Sequence, residues 1–285
     1  MAKLNGLQRD LVNQERRMTV SKRNDMVQCA RYRLSVQEQR AILYAISKIK
    51  PDDCAATEYS FSLRDFFNVC GLNKDTYTST KKLLKELGDK SWWVKYDDGS
   101  ESLVRWFNTL DCDFNSDKVT FKFHERMVPY LLNLVEQGEF YTSFELRYVL
   151  PMTSKHSPRL YELLKSYSIN NSSWFFDLDE LRRLLDCDNY KRWPDFKRRV
   201  LDPAVDEINK YTDIVVTYDA KKLTGRGIDR VVFQFDEKTS AEKYDSCCAI
   251  EISLDGQLGF IDTVEEVRSS NASSFVKSRL AAHRK

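Results

Sequence analysis

The sequence predicts an α+β fold of two tandem winged-helix domains related by internal duplication, with a less ordered C-terminal tail. Residues 191–236 contain a helix with a basic start, followed by two strand-like runs around a basic, glycine-containing loop. That layout is typical of a winged helix. A similar order of helices and strands occurs earlier in the chain, and residues 61–66 and 176–181 share one local pattern. The agreement in both order and pattern favours duplication over chance similarity.

The chain of 285 residues is long enough for about two domains. We expect a flexible N-terminal segment at 1–23, a first domain at 24–150, a second domain at 151–237 and a tail at 238–285. No apolar run approaches the roughly 20 residues of a membrane span, and the N-terminus lacks a signal-peptide core. Seven cysteines without a C-x-x-C pair indicate reduced thiols in a cytoplasmic protein without a membrane partner.

The first half of the chain contains several local start and stop signals. Residues 35–38 form a capping box before a helix that stops before Pro51, and Ser62 caps a second helix that ends at Gly71. A further helix is predicted at about 77–87 and another at 124–136. The predicted strands cover residues 92–96, 103–112 and 118–123, with a hairpin turn at 97–99.

The second half repeats this order. Ser157 and Pro158 mark a helix start, and a longer helix is predicted from Pro194 to Lys210. Strands are predicted at 214–218 and 230–235. After residue 236 the regular pattern fades, with no helical period before residue 262, and residues 270–285 form either a short helix or a disordered basic end.

The longer helix of the second half is the first candidate DNA reader. An apolar stripe of residues at three- and four-residue spacing predicts one buried face, and arginines lie off that stripe at the N-terminal end. Arginine suits guanine because its planar fork donates two hydrogen bonds. The alternative is a solvated amphipathic helix with ordinary surface charge. The candidate DNA-binding residues of this helix are Lys191, Arg192, Lys197, Arg198 and Arg199, whereas Asp202, Asp206 and Glu207 should sit away from phosphates.

The loop between the last two strands is the second candidate. Its cations are Lys221, Lys222, Arg226 and Arg230, gathered around two glycines. A basic hairpin tip can lie along phosphates or enter the minor groove. The alternative is a soluble hairpin whose lysines protect a sheet edge.

The first domain offers a weaker set of contacts. Thr78, Lys81, Lys82 and Lys85 lie on its third helix and could touch phosphate. Its expected wing, residues 97–101, is acidic and would repel DNA. We therefore expect the first domain to contribute fewer contacts, or to serve dimerisation as well.

Enzyme chemistry has little support in the sequence, and we predict no catalytic residue, metal or cofactor. The three histidines are far apart, no His-x-His motif is present, and no phosphate-binding loop is found. Asp111 and Asp113 could place two carboxylates on one face of a strand, as metal-dependent polymerases do. The same spacing at residues 177–179 and 186–188 is better explained by helix capping and a turn.

Three ordered blocks of sequence, at residues 24–40, 154–164 and 196–209, carry a resemblance. They resemble the RepB-type initiator replication proteins of iteron plasmids over roughly residues 20–236, and the assignment of Lys197 relies on this resemblance. The resemblance implies two winged-helix domains that bind direct repeats in double-stranded DNA at an origin, help to open the duplex and recruit host initiation proteins. It also implies a homodimer, in equilibrium with monomer, that represses its own gene. A winged-helix transcriptional repressor remains the alternative, with a nickase or primase behind it.

Overall fold

A computed structural model describes residues 6–72, 77–95, 99–138, 140–223, 225 and 227–257, without the side chains of residues 77, 94, 95 and 255–257. The helices are α1 Gly6–Arg16, α2 Asn24–Cys29, α3 Val36–Ile46, α4 Leu63–Val69, α5 Tyr77–Leu87, α6 Val128–Leu131, α7 Ser157–Tyr167, α8 Leu178–Leu184, α9 Trp193–Phe196, α10 Asp202–Tyr211 and α11 Ser240–Gln257. The strands are β1 Thr19–Arg23, β2 Arg31–Tyr32, β3 Tyr59–Ser62, β4 Ser91–Lys95, β5 Glu101–Arg105, β6 Phe107–Asp113, β7 Lys118–Phe123, β8 Tyr141–Glu145, β9 Ser173–Asp177, β10 Ile214–Lys221 and β11 Arg230–Glu237.

Two units with the same order of elements confirm the predicted pair of winged-helix domains. In the first, α3, β3, α4 and α5 precede the hairpin β6–β7, and the sheet order is β3-β7-β6. In the second, α7, β9, α8 and α9–α10 precede the hairpin β10–β11, and the sheet order is β9-β11-β10. In both sheets the strand before the second helix pairs with the returning hairpin strand, as an internal duplication requires.

The wing of the first domain is not the hairpin that the sequence predicted. Residues 97–100 connect β4 to β5, which begins at Glu101, and β4 pairs with both β5 and β2 in a separate sheet of order β2-β4-β5. By its pairing with β3, the hairpin β6–β7 corresponds to the wing of the second domain. The first-domain wing tip is therefore at residues 114–117. Of the expected wing, residues 97 and 98 lie outside the described part of the chain.

Local capping chemistry determines several helix starts as predicted. Ser35 accepts from the Glu38 amide while the Glu38 carboxylate accepts from the Ser35 amide, which is a complete capping box at α3. Ser62 accepts from the amide of Asp65 at α4. Two predicted elements were wrong in extent. Residues 103–112 form two strands interrupted at Trp106, and the helix predicted at 124–136 ends at Leu131.

The predicted flexible N-terminal segment is instead ordered from Gly6. Arg16 of α1 donates from Nε to the Val69 carbonyl (2.9 Å) and from Nη2 to the Asn68 carbonyl (3.1 Å), so it satisfies carbonyls at the end of α4. The following β1 pairs along its whole length with β8. Sequence polarity was misleading because the polar side chains of α1 make specific contacts with the first domain. Residues 1–5 lie outside the described part.

Regular structure also continues beyond residue 236, contrary to the prediction. Thr239 and Glu242 form a reciprocal cap at the start of α11, with the Glu242 carboxylate 2.8 Å from the Thr239 amide. Leu254 is fully buried, and its carbonyl oxygen would lie 2.8 Å from a Cβ added to Gly71. The helix therefore extends from the second domain onto the first. Residues 258–285, which include the predicted basic end, lie outside the described part.

The helix predicted from Pro194 to Lys210 contains a π-helical turn at residues 197–201. The Asp202 amide donates to the Lys197 carbonyl, five residues back. Pro203 has no N–H to donate to the carbonyl four residues earlier, and its ring would crowd that carbonyl. The wider turn accommodates the proline without ending the helix. The predicted apolar stripe is buried: Phe196, Val200, Ala204, Val205 and Ile208.

One hydrophobic cluster extends through both domains. A buried ionic group also lies at their junction, where Lys22 of β1 forms an ion pair with Glu162 of α7 and both side chains are almost fully buried. Arg159 lies 3.7 Å from the same carboxylate, and the Tyr32 hydroxyl donates to it over 3.3 Å. Burial lowers the pKa of Lys22, although Glu162 opposes that shift.

Candidate nucleic-acid interface

The start of the long helix in the second domain presents an exposed basic surface. Lys191, Arg192, Lys197, Arg198 and Arg199 are all exposed. Buried Phe196 and Val200 interrupt this sequence and anchor the helix on the core. The predicted split between a buried face and a cationic face is therefore present. Long cationic side chains on a rigid helix are suited to reach base edges in a major groove.

Partners in the free protein differ among these cations. Arg192 and Arg198 both face Asp195, at 4.0 and 3.7 Å, which are loose, solvent-exposed pairs. Such pairs contribute little, so either arginine can exchange Asp195 for DNA at small cost. Arg199 forms no ion pair with another described residue. Arg198 and Arg199 are thus available for a ligand.

Lys197 is held more firmly than its neighbours. Its ammonium lies 2.8 Å from Asp202 and 5.7 Å from the centre of the Tyr218 ring on β10. Tyr218 also donates to the Asp202 carboxylate. Burial opposes ionisation of Asp202, but the hydrogen bonds from Lys197 and Tyr218 prevail and lower its pKa. The geometry makes Lys197 a brace between the helix and the wing hairpin as well as a candidate DNA contact.

Acidic side chains in the second half of the helix form hydrogen bonds with other parts of the same chain. Glu207 accepts from the Thr153 amide at 2.8 Å and from the Thr153 hydroxyl at 2.6 Å, while Asp202 serves the brace just described. Asn209 bonds both the amide and the carbonyl of Val216, which fixes the helix to β10. The expectation that this half lies away from phosphates remains a prediction, and these contacts are consistent with it.

The wing of the second domain retains a smaller free set of cations than predicted. Lys222 is exposed and forms no ion pair with another described residue, whereas Lys221 is paired with Asp219. Arg230 faces Asp177 across the sheet at 3.0 Å and lies 3.9 Å from the centre of the Phe175 ring. Arg226 lies outside the described residues. Among the described cations of the wing, Lys222 is therefore the one that no carboxylate occupies.

The first domain presents lysines on α5 in place of arginines. Thr78, Lys82 and Lys85 are exposed, Lys81 is half-buried, and Lys82 lies 3.7 Å from Glu86. Lys81 and Lys85 lie 4.7 and 5.6 Å from the centre of the Phe114 ring at the tip of β6–β7. At that tip Asp113, the last residue of β6, accepts from the Ser116 hydroxyl, and Asp117 accepts from the Ser62 hydroxyl, both over 2.7 Å. The tip carries acidic groups, as was expected of the wing at residues 97–101.

Four of the carboxylates considered for metal chemistry, Asp113, Asp177, Asp186 and Asp188, have structural partners. Asp113 bonds its own turn, Asp177 pairs with Arg230, and Asp186 and Asp188 pair with arginines of the first domain. No group of three or more metal-ligating side chains occurs among the described residues. Within that same part of the chain, no helix is long and apolar enough to cross a membrane.

Sequence reasoning missed the aromatic braces Tyr218 and Phe114 and the role of Asp195. Each joins the helix of one domain to its own wing or to its own arginines. The spacing between Asp195 and Arg198 was visible as an i,i+3 pair. Tyr218 and Phe114 gave no such signal, because their contacts arise only when the hairpin folds back on the helix.

Comparisons with known proteins agree with this geometry. A family model described as "Initiator Replication protein, WH1" matches residues 19–165, and one described as "Initiator Rep protein, WH2" matches residues 177–235.

Two relatives from Escherichia coli are similar in sequence. A "Replication initiation protein" is 25% identical over 233 residues, which cover 77% of this chain and 70% of the relative. A "PI protein" is 27% identical over 165 residues, which cover 52% of this chain and 54% of the relative.

A solved structure of the Pi initiator protein in complex with iteron DNA matches with a TM-score of 0.65 at 21% identity. The match covers 79% of this chain and 99% of that one. At this identity the likeness supports the fold of two winged-helix domains.

Proposed function

Because the chain belongs to the family of initiator replication proteins, we propose that it is a plasmid replication initiator that binds direct repeats, or iterons, at an origin. Membership confirms the resemblance predicted from three sequence blocks. The family consists of DNA-binding proteins without catalytic activity, in agreement with the prediction that the chain is not an enzyme. The Pi initiator protein of the similar solved structure is bound to iteron DNA, which supports the same ligand class here.

The observation that carries the proposal is the exposed arginine cluster on a family-matched second domain. Arg198 and Arg199 project from a helix anchored by fully buried Phe196 and Val200. In the proposed complex this helix lies in the major groove, where arginine can donate two hydrogen bonds to guanine. Arg192 extends the set at the helix N-terminus.

The other cations have a different role in the proposed complex. Lys222 follows the phosphates or the minor groove from the wing, because a lysine offers a mobile point charge rather than a planar fork. Lys81, Lys82 and Lys85 of α5 contact phosphate from the first domain. The second domain then supplies most of the sequence reading, and the first domain adds affinity.

Further roles follow from the family. We propose that the DNA-bound monomer helps to open an adjacent duplex and recruits host initiation proteins, and that a dimer represses the gene. A cytoplasmic location is part of this proposal, and the seven free cysteines are consistent with it.

A footprint on DNA flanking the gene is the test. The purified chain should protect a series of direct repeats beside an AT-rich segment, and a scrambled repeat should bind much more weakly. Equal binding of both sequences would contradict the proposal. Loss of plasmid maintenance on deletion of the gene would separate an initiator from a transcriptional repressor, since both protect operator DNA. Supercoiled origin DNA with magnesium should show neither nicks nor primers.

A further inference from the structure

The turn between α8 and α9 is held by arginines of the other domain. This turn, residues 185–192, leads directly into the exposed arginine cluster of the second domain. Arg33 Nε lies 2.9 Å from Asp186 Oδ2, and Arg31 Nη2 lies 2.8 Å from Asp188 Oδ2. Arg31 also lies 3.8 Å from Asp186. The two carboxylates belong to the turn, and the two arginines belong to the first domain.

The conformation of the turn depends on contacts beyond its own sequence. Asp186 adopts φ 49°, a left-handed conformation that residues other than glycine rarely take, although Asp and Asn tolerate it best. Its side chain is only 11% exposed, so its carboxylate is partly desolvated and depends on a cation. The Lys191 carbonyl at the far end accepts from Arg182 Nη2 over 2.9 Å. Without the arginine partners, Asp186 would retain a poorly solvated charge.

The arginines extend from a rigid base. Arg31 and Tyr32 form β2, which pairs antiparallel with Trp93 and Trp92 of β4. Trp92 is fully buried. Arg159 of the second domain donates to the Ala30 carbonyl over 2.6 Å, so the backbone just before β2 is fixed to the second domain too. The first-domain sheet therefore sets where the two guanidinium groups lie.

We propose that Arg31 and Arg33 are positioning residues for DNA reading. By pairing with Asp188 and Asp186, they fix the turn that delivers Arg192, Arg198 and Arg199, in an orientation set by the first domain. The two domains then present their helices to one repeat in a defined mutual register. This inference rests on the proposed function and adds residues that act through the turn.

Direct phosphate binding by the same arginines is the competing explanation, because Arg33 is 84% exposed. Neutralising the acidic partners Asp186 and Asp188 distinguishes the positioning role from direct phosphate binding. If Asp186 and Asp188 merely compete with phosphate, their neutralisation should tighten binding to every duplex. If they hold the turn, neutralisation should weaken binding to the cognate repeat although the protein becomes more positive.

The test compares wild type with Asp186→Asn/Asp188→Asn in the full chain. Asparagine preserves the shape and tolerates the positive φ at residue 186. We expect cognate affinity to fall roughly five- to tenfold, with scrambled DNA unchanged or bound more tightly. The matched control is Glu180→Gln on α8, whose carboxylate pairs with Arg183 inside the domain at 2.6 Å. It should not lower cognate affinity.

The affinity of the double variant for the cognate repeat decides between positioning and direct phosphate binding. Cognate affinity that stays the same or rises in the double variant overturns the positioning role. Should that variant fail to fold, Arg33→Gln replaces it: a lower cognate-to-scrambled ratio supports positioning, and equal losses on both sequences overturn it. Wild-type protein that does not distinguish the two sequences would instead remove the proposed function, which is a separate result.

Discussion

The two winged-helix domains use one scaffold with different surfaces. Both place a helix, a strand and two further helices before a hairpin, and both pair the returning hairpin strand with the strand before the second helix. Their third helices differ in charge chemistry. The second domain presents arginines at the start of a helix that contains a π turn, whereas the first presents lysines along a regular α5.

The wings also differ in charge, and again the second domain is the more basic of the two. The tip of β10–β11 contains exposed Lys222, whereas the end of β6 and the adjoining tip of β6–β7 carry Asp113 and Asp117, which accept hydrogen bonds from serines. Packing constrains the buried positions of both copies and leaves the surface free to diverge. The difference favours our proposal that base reading is concentrated in the second domain, so that the two domains of the tandem need not read DNA equally.

A rigid junction would hold the two domains in a fixed relative orientation. The buried ionic group at this junction is the point at which a substitution should disrupt it most. Glu162→Gln leaves Lys22 and Arg159 buried without a carboxylate. We expect a loss of roughly 3–5 kcal/mol in the free energy of unfolding, measured with urea. Glu86→Gln, which removes an exposed partner of Lys82, should change stability by less than about 1 kcal/mol. Similar effects of both changes would argue against a rigid junction.

Acid should act on the second domain through a histidine that the first domain lacks at the same place. His156 occupies the N-cap position of α7, which Ser35 occupies at α3, but its ring Nδ1 lies 3.0 Å from the Leu185 carbonyl and makes no bond to the helix. Burial, with a smaller effect of Lys155, lowers its pKa to about 4 from the ordinary 6.5.

The sign of the resulting pH effect follows from which state takes up the proton first. Above pH 6.5 the imidazole is neutral in both states and its contribution to stability is complete. Between pH 6.5 and 4 the unfolded chain binds the proton first, so up to about 3 kcal/mol of stability is lost. Melting curves from pH 7 to 4 should show this loss, and His156→Gln should flatten it. An equally steep curve for the variant would assign the loss to other groups.

The contact of α11 with the first domain can be isolated with two glycines. Gly71 and Gly138 have φ of 65° and 66°, so alanine costs about 1–2 kcal/mol of backbone strain at either position. Only at Gly71 would the new Cβ approach a backbone atom, the Leu254 oxygen, at 2.8 Å. Gly71→Ala should therefore lower the melting temperature more than Gly138→Ala. Equal shifts would mean that α11 does not pack on the first domain.

Salt dependence should distinguish the wings and helices by their phosphate contacts. Lys222→Ala should make the slope of log affinity against log salt shallower by about one unit. Lys82→Ala should change it less, because the acidic groups at the β6–β7 tip beside α5 oppose close approach of phosphates. Binding isotherms between low and physiological salt measure both slopes. A larger change for Lys82 would move the main phosphate contacts to the first domain.

The sequence predicted most accurately the features that depend on residues close together in the chain. The caps at Ser35 and Ser62 and the buried stripe of the long helix follow from local spacing. The first-domain wing could not be assigned, because which hairpin pairs with β3 depends on residues far apart in the chain. Pro203 was a sequence signal for the irregular turn, and Thr239 with Glu242 was a signal for the start of α11. The apolar residues of α11 are distributed around the whole helix, so no helical period was visible in its sequence.

The candidate site divides in the same way. The exposure of Arg198 and Arg199 was predictable from the helical stripe, since both lie off it. The internal partners of Lys197 and Arg230 were not predictable, because Tyr218 and Phe175 approach them only through sheet formation.

The most direct test of the account asks which of the two third helices distinguishes a cognate repeat from a scrambled one. The measurement is the ratio of affinities for a cognate and a scrambled repeat, in wild type, Arg198→Ala and Lys82→Ala. For Arg198→Ala, loss of an arginine–guanine contact should lower the free energy of discrimination, which is proportional to the logarithm of this ratio, by roughly 1–3 kcal/mol. Lys82→Ala should weaken both sequences alike and leave the ratio unchanged. An unchanged ratio for Arg198→Ala together with a reduced ratio for Lys82→Ala would place sequence reading in the first domain and contradict the account.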